Sequence, residues 1–343
     1  MPETPLDKLP PQPRVVVLRA LPGLGDFLCA VPALRALRAG LPGARVTLLG
    51  LPALRPLAAR FPHLLDGFLN FPGFPGLPEL PPNVTALPAF LTKVQGRFDL
   101  ALQLHGSGAV SNIFAQLLGA GVTAGCYPPE QNCPDPRAFL PYPDAVPEPR
   151  RALAVTEFLG LPTSGHQLEF PILDFDRAEL RGLPEASRLR PGEYAVIHPG
   201  ASEAARRWKP EFFAEVADQL AARGLEVVLT GTSAEASVTA AVGDAMRAPA
   251  LDLAGRTSLG ATAALLEGAR LLITNDTGIS HLASATRTRS VVVFLVSDVG
   301  RWAPLDKKLH RAVIAPRTPD EVLLHALAHL NLRKEAACAH FAS

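Results

Sequence analysis

Asn275-Asp276-Thr277-Gly278-Ile279-Ser280-His281-Leu282-Ala283 follows the apolar run Ala269-Arg270-Leu271-Leu272-Ile273-Thr274, and this junction decides the fold. A run of strand length ends at a carboxylate, a hydroxyl and a glycine, and a helix-like stretch begins at once. An α/β protein builds an anion site in this way, because the next helix points its free N–H groups and positive dipole end at whatever the turn receives. A phosphate suits it. The same residue types also serve as plain caps at such junctions, so the rest of the chain has to decide between the two.

Outward from this junction, short β-branched runs alternate with longer Ala/Leu-rich ones. Val15–Leu18, Val46–Leu49 and Leu100–Leu104 read as strands of a first half. Tyr194–Ile197, Glu226–Leu229, Leu271–Ile273 and Ser290–Phe294 repeat the rhythm in a second half. Phe212, Phe213, Val216 and Leu220 fall on one helical stripe, and Leu259 to Ala269 predicts another helix. Apolar strands separated by helices predict parallel sheets covered on both faces. The expectation is two facing Rossmann-like domains with a ligand cleft between the carboxyl ends of their strands. The domains are expected over 14–170 and 191–318, with a linker over 171–190 and a C-terminal helix and tail over 319–343. The Pro-rich stretch Tyr127 to Pro149 reads as a long irregular loop.

The 343 residues suffice for two real cores, and a formal net charge of +1 argues against nucleic acid as the main partner. Cys29, Cys126, Cys133 and Cys338 have no zinc-like spacing, which fits a reducing cytoplasm and leaves a Cys126–Cys133 bridge open. Met1 to Pro13 is polar and Pro-rich, and no apolar run reaches the roughly 20 residues of a membrane span. A soluble cytoplasmic protein is expected.

Three further stretches carry polar chemistry. Leu21-Pro22-Gly23-Leu24-Gly25-Asp26 ends the first strand, with glycines for a tight turn and Asp26 at or near the start of a helix, as cap or as functional carboxylate. Pro32 inside that run requires the helix to kink or start late. The spacing is not G-x-G-x-x-G, so a dinucleotide enzyme is the weakest reading. His198-Pro199-Gly200-Ala201 precedes Arg206-Arg207-Trp208-Lys209, a glycine turn plus three cations that suits a diphosphate or is a solvated basic run. Glu235, four residues after Gly231, could take both hydroxyls of a ribose or simply favour a helix dipole.

G-D before a Pro-containing helix, H-P-G-A then R-R-W, G-x-x-x-E, Leu253-Ala254-Gly255-Arg256, N-D-T-G-x-x-H-L-A and Arg301-Trp302-Ala303-Pro304 stand in one order. In that order the chain resembles glycosyltransferase family nine, the lipopolysaccharide heptosyltransferases and their relatives, over about residues 14 to 330. The resemblance implies a GT-B fold with an acceptor-binding N-terminal domain, a nucleotide-sugar-binding C-terminal domain, and inverting transfer without metal or other cofactor. It implies Asp26 as general base, with Gly25 beside it on the acceptor side, and Arg206 as holder of the leaving diphosphate where many members carry lysine. It further implies Glu235 on the ribose, Asp276 on the donor sugar, Thr277 and Gly278 on the phosphates, and His281 either on the donor or packed; Arg207 and Lys209 complete the cationic pocket. The implied partners are a nucleotide-diphosphate sugar, ADP-linked foremost and with heptose as the best-known sugar, and a lipid-linked or polysaccharide acceptor of the envelope. Peripheral contact with the inner face of the cytoplasmic membrane follows.

Relatives commonly read S-G-P-M-H at Thr277–His281 and carry glycine where Leu295 stands, so the donor pocket is expected to be reshaped, and a catalytically silent nucleotide- or partner-binding relative is the alternative reading. Asp174-Phe175-Asp176 reads as a capping or solvated pair rather than a metal site. His325 and His329 read as a polar helix face, since no third ligand stands near them in sequence. Phe71 and Phe74 are candidates for exposed contact with a lipid acceptor or for the core.

Overall fold

The computed structural model describes residues 4–83 and 85–339. The chain divides into two compact units, one ending at Leu168 and the other beginning at Glu169.

The first unit carries strands β1 (Arg14–Leu18), β2 (Arg45–Gly50), β3 (Gly67–Asn70), β4 (Leu100–Gln103), β5 (Val122–Tyr127) and β6 (Phe139–Pro141). They form one sheet in the order β3-β2-β1-β4-β5-β6, every pair parallel. The second unit carries β7 (Tyr194–His198), β8 (Glu226–Leu229), β9 (Ala250–Asp252), β10 (Leu271–Asn275), β11 (Ser290–Phe294) and β12 (His310–Ile314). Its order is β12-β11-β10-β7-β8-β9, again all parallel. Both sheets therefore have the Rossmann order, which reverses between β1 and β4 and between β7 and β10. Ligands of such sheets bind at the carboxyl side of that switch. The burial follows from the topology: β7, β10 and β11 are buried at every residue, because helices cover both faces.

The helix Leu24–Gly40 begins right after Gly23, and Phe27, Leu28, Val31, Leu34 and Leu37 make its buried face. It does not start late. Pro32 lies buried within it, at the cost of the hydrogen bond that the Leu28 carbonyl would accept in an unbroken helix. In the second unit the helix Pro210–Ala221 buries Phe213, Val216 and Leu220 as the stripe predicts, with Phe212 only partly covered. Ser258 caps the helix Leu259–Gly268, its hydroxyl accepting from Ala261 N at 3.1 Å.

Several expectations change. The stretch Tyr127–Pro149 is not wholly irregular, because Phe139–Pro141 adds the edge strand β6, where a proline deprives no neighbour of a bond. Residues 171–190 carry the helix Asp174–Gly182 rather than only a linker, and Arg177 reaches both carboxylate oxygens of Glu267 on the helix Leu259–Gly268. Asp176 is fully buried and accepts from Leu173 N at 2.8 Å, the work of a cap. Phe71 belongs to the core: it is 1% exposed and meets Phe114 edge-on at 5.2 Å, with Phe74 packed on the same ring. The helix Pro319–Ala339 turns Val322, Ala326 and His329 inward and leaves Leu324 exposed, so His329 is not on a polar face. Cys126 and Cys133 are free thiols, and burial pushes the Cys126 thiol up to about 12. Among the described residues no helix is long and apolar enough to cross a membrane.

Candidate functional site

In the first unit the loops after β1 and β4 meet at the switch point. Ala20 N donates to His105 Nδ1 at 3.1 Å, which places the ring proton of a neutral His105 on Nε2, facing Glu79 Oε1 at 3.4 Å. Burial holds His105 below the usual histidine range, against the opposing pull of Glu79. Asp26 is the third residue of the helix Leu24–Gly40, partly exposed, and its carboxylate folds back over Gly23. A Cβ on Gly23 would meet Asp26 Oδ2, the movable end of that side chain, so a larger residue there would displace the carboxylate. Gly25 is a buried residue of the first helical turn and not part of a loop.

The charges beneath Asp26 lie outside the motifs of the sequence. Arg19, 4% exposed, donates through Nε and Nη2 to the Asp26 carbonyl and through Nη1 to the Leu104 carbonyl. Glu148, equally buried, stands between Arg19 (3.3 Å) and Arg151 (3.7 Å). One signal was available: Arg19 and His105 each follow an apolar strand directly, where a polar side chain sits at the sheet's carboxyl edge.

In the second unit Asn275 is the pin. It is the last residue of β10 and fully buried; its Oδ1 accepts from Trp208 N at 3.0 Å, and its Nδ2 donates to Pro199 O at 2.8 Å. The glycine turn after β7, the cation stretch and the Asp276–Gly278 turn are thereby joined. Asp276 is buried, its N–H held by Val293 O at 2.9 Å. Thr277 is the extended N-cap of the helix Gly278–Ala285 and its side chain makes no capping bond, so the first N–H groups of that helix have no hydroxyl cap from Thr277. Ser280 Oγ turns back to Thr277 O at 2.8 Å. His281 is 4% exposed and edge-on to Trp302 at 5.9 Å, with Arg301 stacked over that indole.

The three cations differ in use. Arg206, on the turn Ala204–Arg206, pairs with Glu203 at 3.1 Å. Arg207 Nε holds the Ala201 carbonyl at 2.9 Å, bracing the glycine turn. Lys209 lies over the Phe212 ring at 5.0 Å. Glu235 Oε2 accepts from the N–H and hydroxyl of Thr232 at 2.8 and 2.9 Å, while Oε1 lies against Gly200. Gly255, with positive φ, packs on Ser233 and donates to Gly231 O, which brings the Leu253–Arg256 motif to the same edge. His198 is buried beneath, near Thr230 Oγ1 at 3.2 Å, and burial lowers its proton affinity. Leu295 has ordinary backbone geometry and packs on the unit's apolar core. A groove of about 840 Å³ lies elsewhere, at the amino end of β8 beside Arg188 and Arg247. Among the described residues no group of three or more His, Cys, Asp or Glu is placed to hold a metal ion.

Two sheets in the dinucleotide-fold order, each with its polar loops at the carboxyl edge, define a Rossmann-type α/β protein. Residues 90–322 match the sequence profile of glycosyltransferase family 9 (heptosyltransferase), and the chain belongs to that family. It is 35% identical over 114 residues to lipopolysaccharide heptosyltransferase 3 of Escherichia coli K12, and 33% identical over 115 residues to lipopolysaccharide heptosyltransferase 2 of the same strain. Each match covers 32% of this chain and 33% of the relative, so the matched stretch spans about a third of those curated proteins. Among solved structures, a family 9 glycosyltransferase from Veillonella parvula superimposes with a TM-score of 0.72 at 22% identity, covering 88% of this chain and 85% of that one. The E. coli heptosyltransferase WaaC with ADP gives 0.67 at 19% identity, covering 92% and 99%. These likenesses establish the fold, which is the GT-B fold of the heptosyltransferases.

Proposed function

We propose that this chain is an inverting, metal-independent glycosyltransferase that moves a sugar, heptose foremost, from an ADP-linked donor to an envelope glycolipid of the lipopolysaccharide type. The observation that carries the reading is the edge of the second sheet, where Asn275 gathers a glycine turn, three cations and a helix N-terminus beside a buried carboxylate. Names of relatives supply the sugar and the acceptor: lipopolysaccharide heptosyltransferases 2 and 3, and a related structure with ADP. In this reading Asp26 takes the acceptor's hydroxyl proton and the oxygen attacks the anomeric carbon. The bond to phosphate breaks, and its electron pair leaves with the diphosphate. Arg206 and the donors at Thr277 and Gly278 receive that charge, a task fixed cations perform without reorganisation. Glu235 binds the ribose, Asp276 the sugar, and His281 braces Trp302 at the pocket's side. In this reading the acceptor is lipid-linked and is met at the cytoplasmic face of the membrane through peripheral contact.

Thermal denaturation with ADP, UDP and GDP, each with EDTA, tests the binding half. ADP at 100 times its dissociation constant adds about 2.7 kcal/mol of apparent stability. Asp26→Asn keeps that stabilisation and loses about 10²-fold or more in turnover of ADP-heptose with lipooligosaccharide. No stabilisation by any nucleoside diphosphate, or only with added metal, overturns the reading. Binding with no turnover by wild type under any acceptor condition leaves a silent nucleotide-binding relative.

A further inference from the structure

Arg19 is buried just after β1, and its short bonds join two parts of the first unit's switch point, the helix start at Asp26 and the loop after β4. Nε and Nη2 reach the Asp26 carbonyl at 3.0 and 2.7 Å, and Nη1 reaches the Leu104 carbonyl at 2.6 Å. Nη2 also faces Glu148 Oε1 at 3.3 Å. The guanidinium thus grips the main chain of Asp26, while the carboxylate stands 3.9 Å off. A carboxylate locked into a bidentate pair with arginine is a poor base, because the pair must break before a proton can be taken. A carboxylate near a fixed cation, with its backbone held, is aimed and kept ionised without that penalty.

From this geometry we propose that Arg19 is the positioning residue of Asp26, fixing its main chain and setting its proton affinity in balance with Glu148; this rests on the reading of Asp26 as general base. The balance has identifiable members. Arg19 sets a cation 3.9 Å from the Asp26 carboxylate, and Glu148, 3.3 Å from the same guanidinium, offsets part of that charge. Arg151 restrains Glu148 from the helix Glu148–Phe158, itself held by Tyr142 Oη at 2.7 Å and facing Asp144 at 3.4 Å. On the β4 side stand His105 and Glu79. A lysine at 19 would keep the charge but lose the fork that holds two carbonyls at once.

The test is a carbon-13 titration of the protein labelled at aspartate Cγ, with the Asp26 resonance identified by its loss in Asp26→Asn. Arg19→Gln raises the Asp26 midpoint by about one pH unit or more, the scale expected for losing an adjacent cation. Arg19→Lys returns most of that shift, and Glu148→Gln moves the midpoint the other way. The acid limb of kcat/KM, measured with ADP-heptose and lipooligosaccharide, moves with the midpoint, and Arg19→Lys still loses kcat because the carbonyl grip is gone. An unmoved midpoint in Arg19→Gln overturns the proposal; if that variant fails to fold, an unmoved midpoint in Glu148→Gln does so. Full turnover by Asp26→Asn removes the base reading and this proposal together, whereas an inactive Asp26→Asn with an unmoved Arg19→Gln midpoint removes this proposal alone.

Discussion

Asn275 Oδ1 accepts from the main-chain N–H of Trp208 at 3.0 Å, across 67 positions of sequence. The same amide donates to Pro199 O, so one buried side chain ties three loops that are far apart in the chain. Replacing it with leucine leaves a buried N–H and a buried carbonyl without partners. Each costs about 1–3 kcal/mol, and urea denaturation of Asn275→Leu should show a loss in that range or up to twice it. Asn275→Asp keeps the acceptor for Trp208 but turns a second oxygen on the Pro199 carbonyl, so it too is destabilised, and ADP stabilisation falls in both variants.

Gly200 gives a sharper test of Glu235. A Cβ at Gly200 would strike the Glu235 carboxylate, and that carboxylate is the movable end of a flexible side chain. Gly200→Ala should therefore keep its stability within about 1 kcal/mol. Its ADP affinity, measured by calorimetry, should fall about tenfold if Glu235 holds the ribose, a difference of 1.4 kcal/mol. Adding Glu235→Ala to Gly200→Ala should then cost little more, since both changes remove one interaction.

Phe71 and Phe114 separate core from lipid contact. Phe71 is enclosed and edge-on to Phe114, so Phe71→Ala should cost about 3–5 kcal/mol in denaturant melts. A variant with unchanged stability and weakened vesicle co-sedimentation would return the ring to the surface.

Acid should loosen the second unit. His310, bonded to Ser290 Oγ at 2.8 Å, and His329 are both buried, and desolvation holds each down to about 4 against an ordinary 6.5. The folded state keeps them neutral while the unfolded chain binds protons, so their contribution is complete above pH 6.5 and is lost as pH falls from 6.5 through 4. The linked loss for His310 alone is on the order of 3 kcal/mol. Stability curves against pH should show this slope, and His310→Asn should flatten it.

Alternating apolar runs were enough to fix parallel sheets, because strands covered on both faces read as unbroken Val, Ile and Leu. The polar motifs of the second unit were legible for the same reason: each follows a buried strand, and a strand's carboxyl end is where a Rossmann sheet exposes its loops. β3, β5, β6, β9 and β12 were not legible. They are short strands, β3, β6, β9 and β12 at sheet edges, and β6 lies among prolines, so neither periodicity nor length marked them. The inward face of the last helix was not legible either, since Val322, Ala326 and His329 are chosen by the strands they meet and not by the leucines beside them. Likewise the sequence could place Asp26 and Asp276 at helix starts, because capping is local chemistry. Only the tertiary structure could bring Arg19 to the Asp26 carbonyl together with Leu104 O and Glu148, and Asn275 to Trp208, because bonds between distant loops depend on strand order and register, which no local pattern encodes.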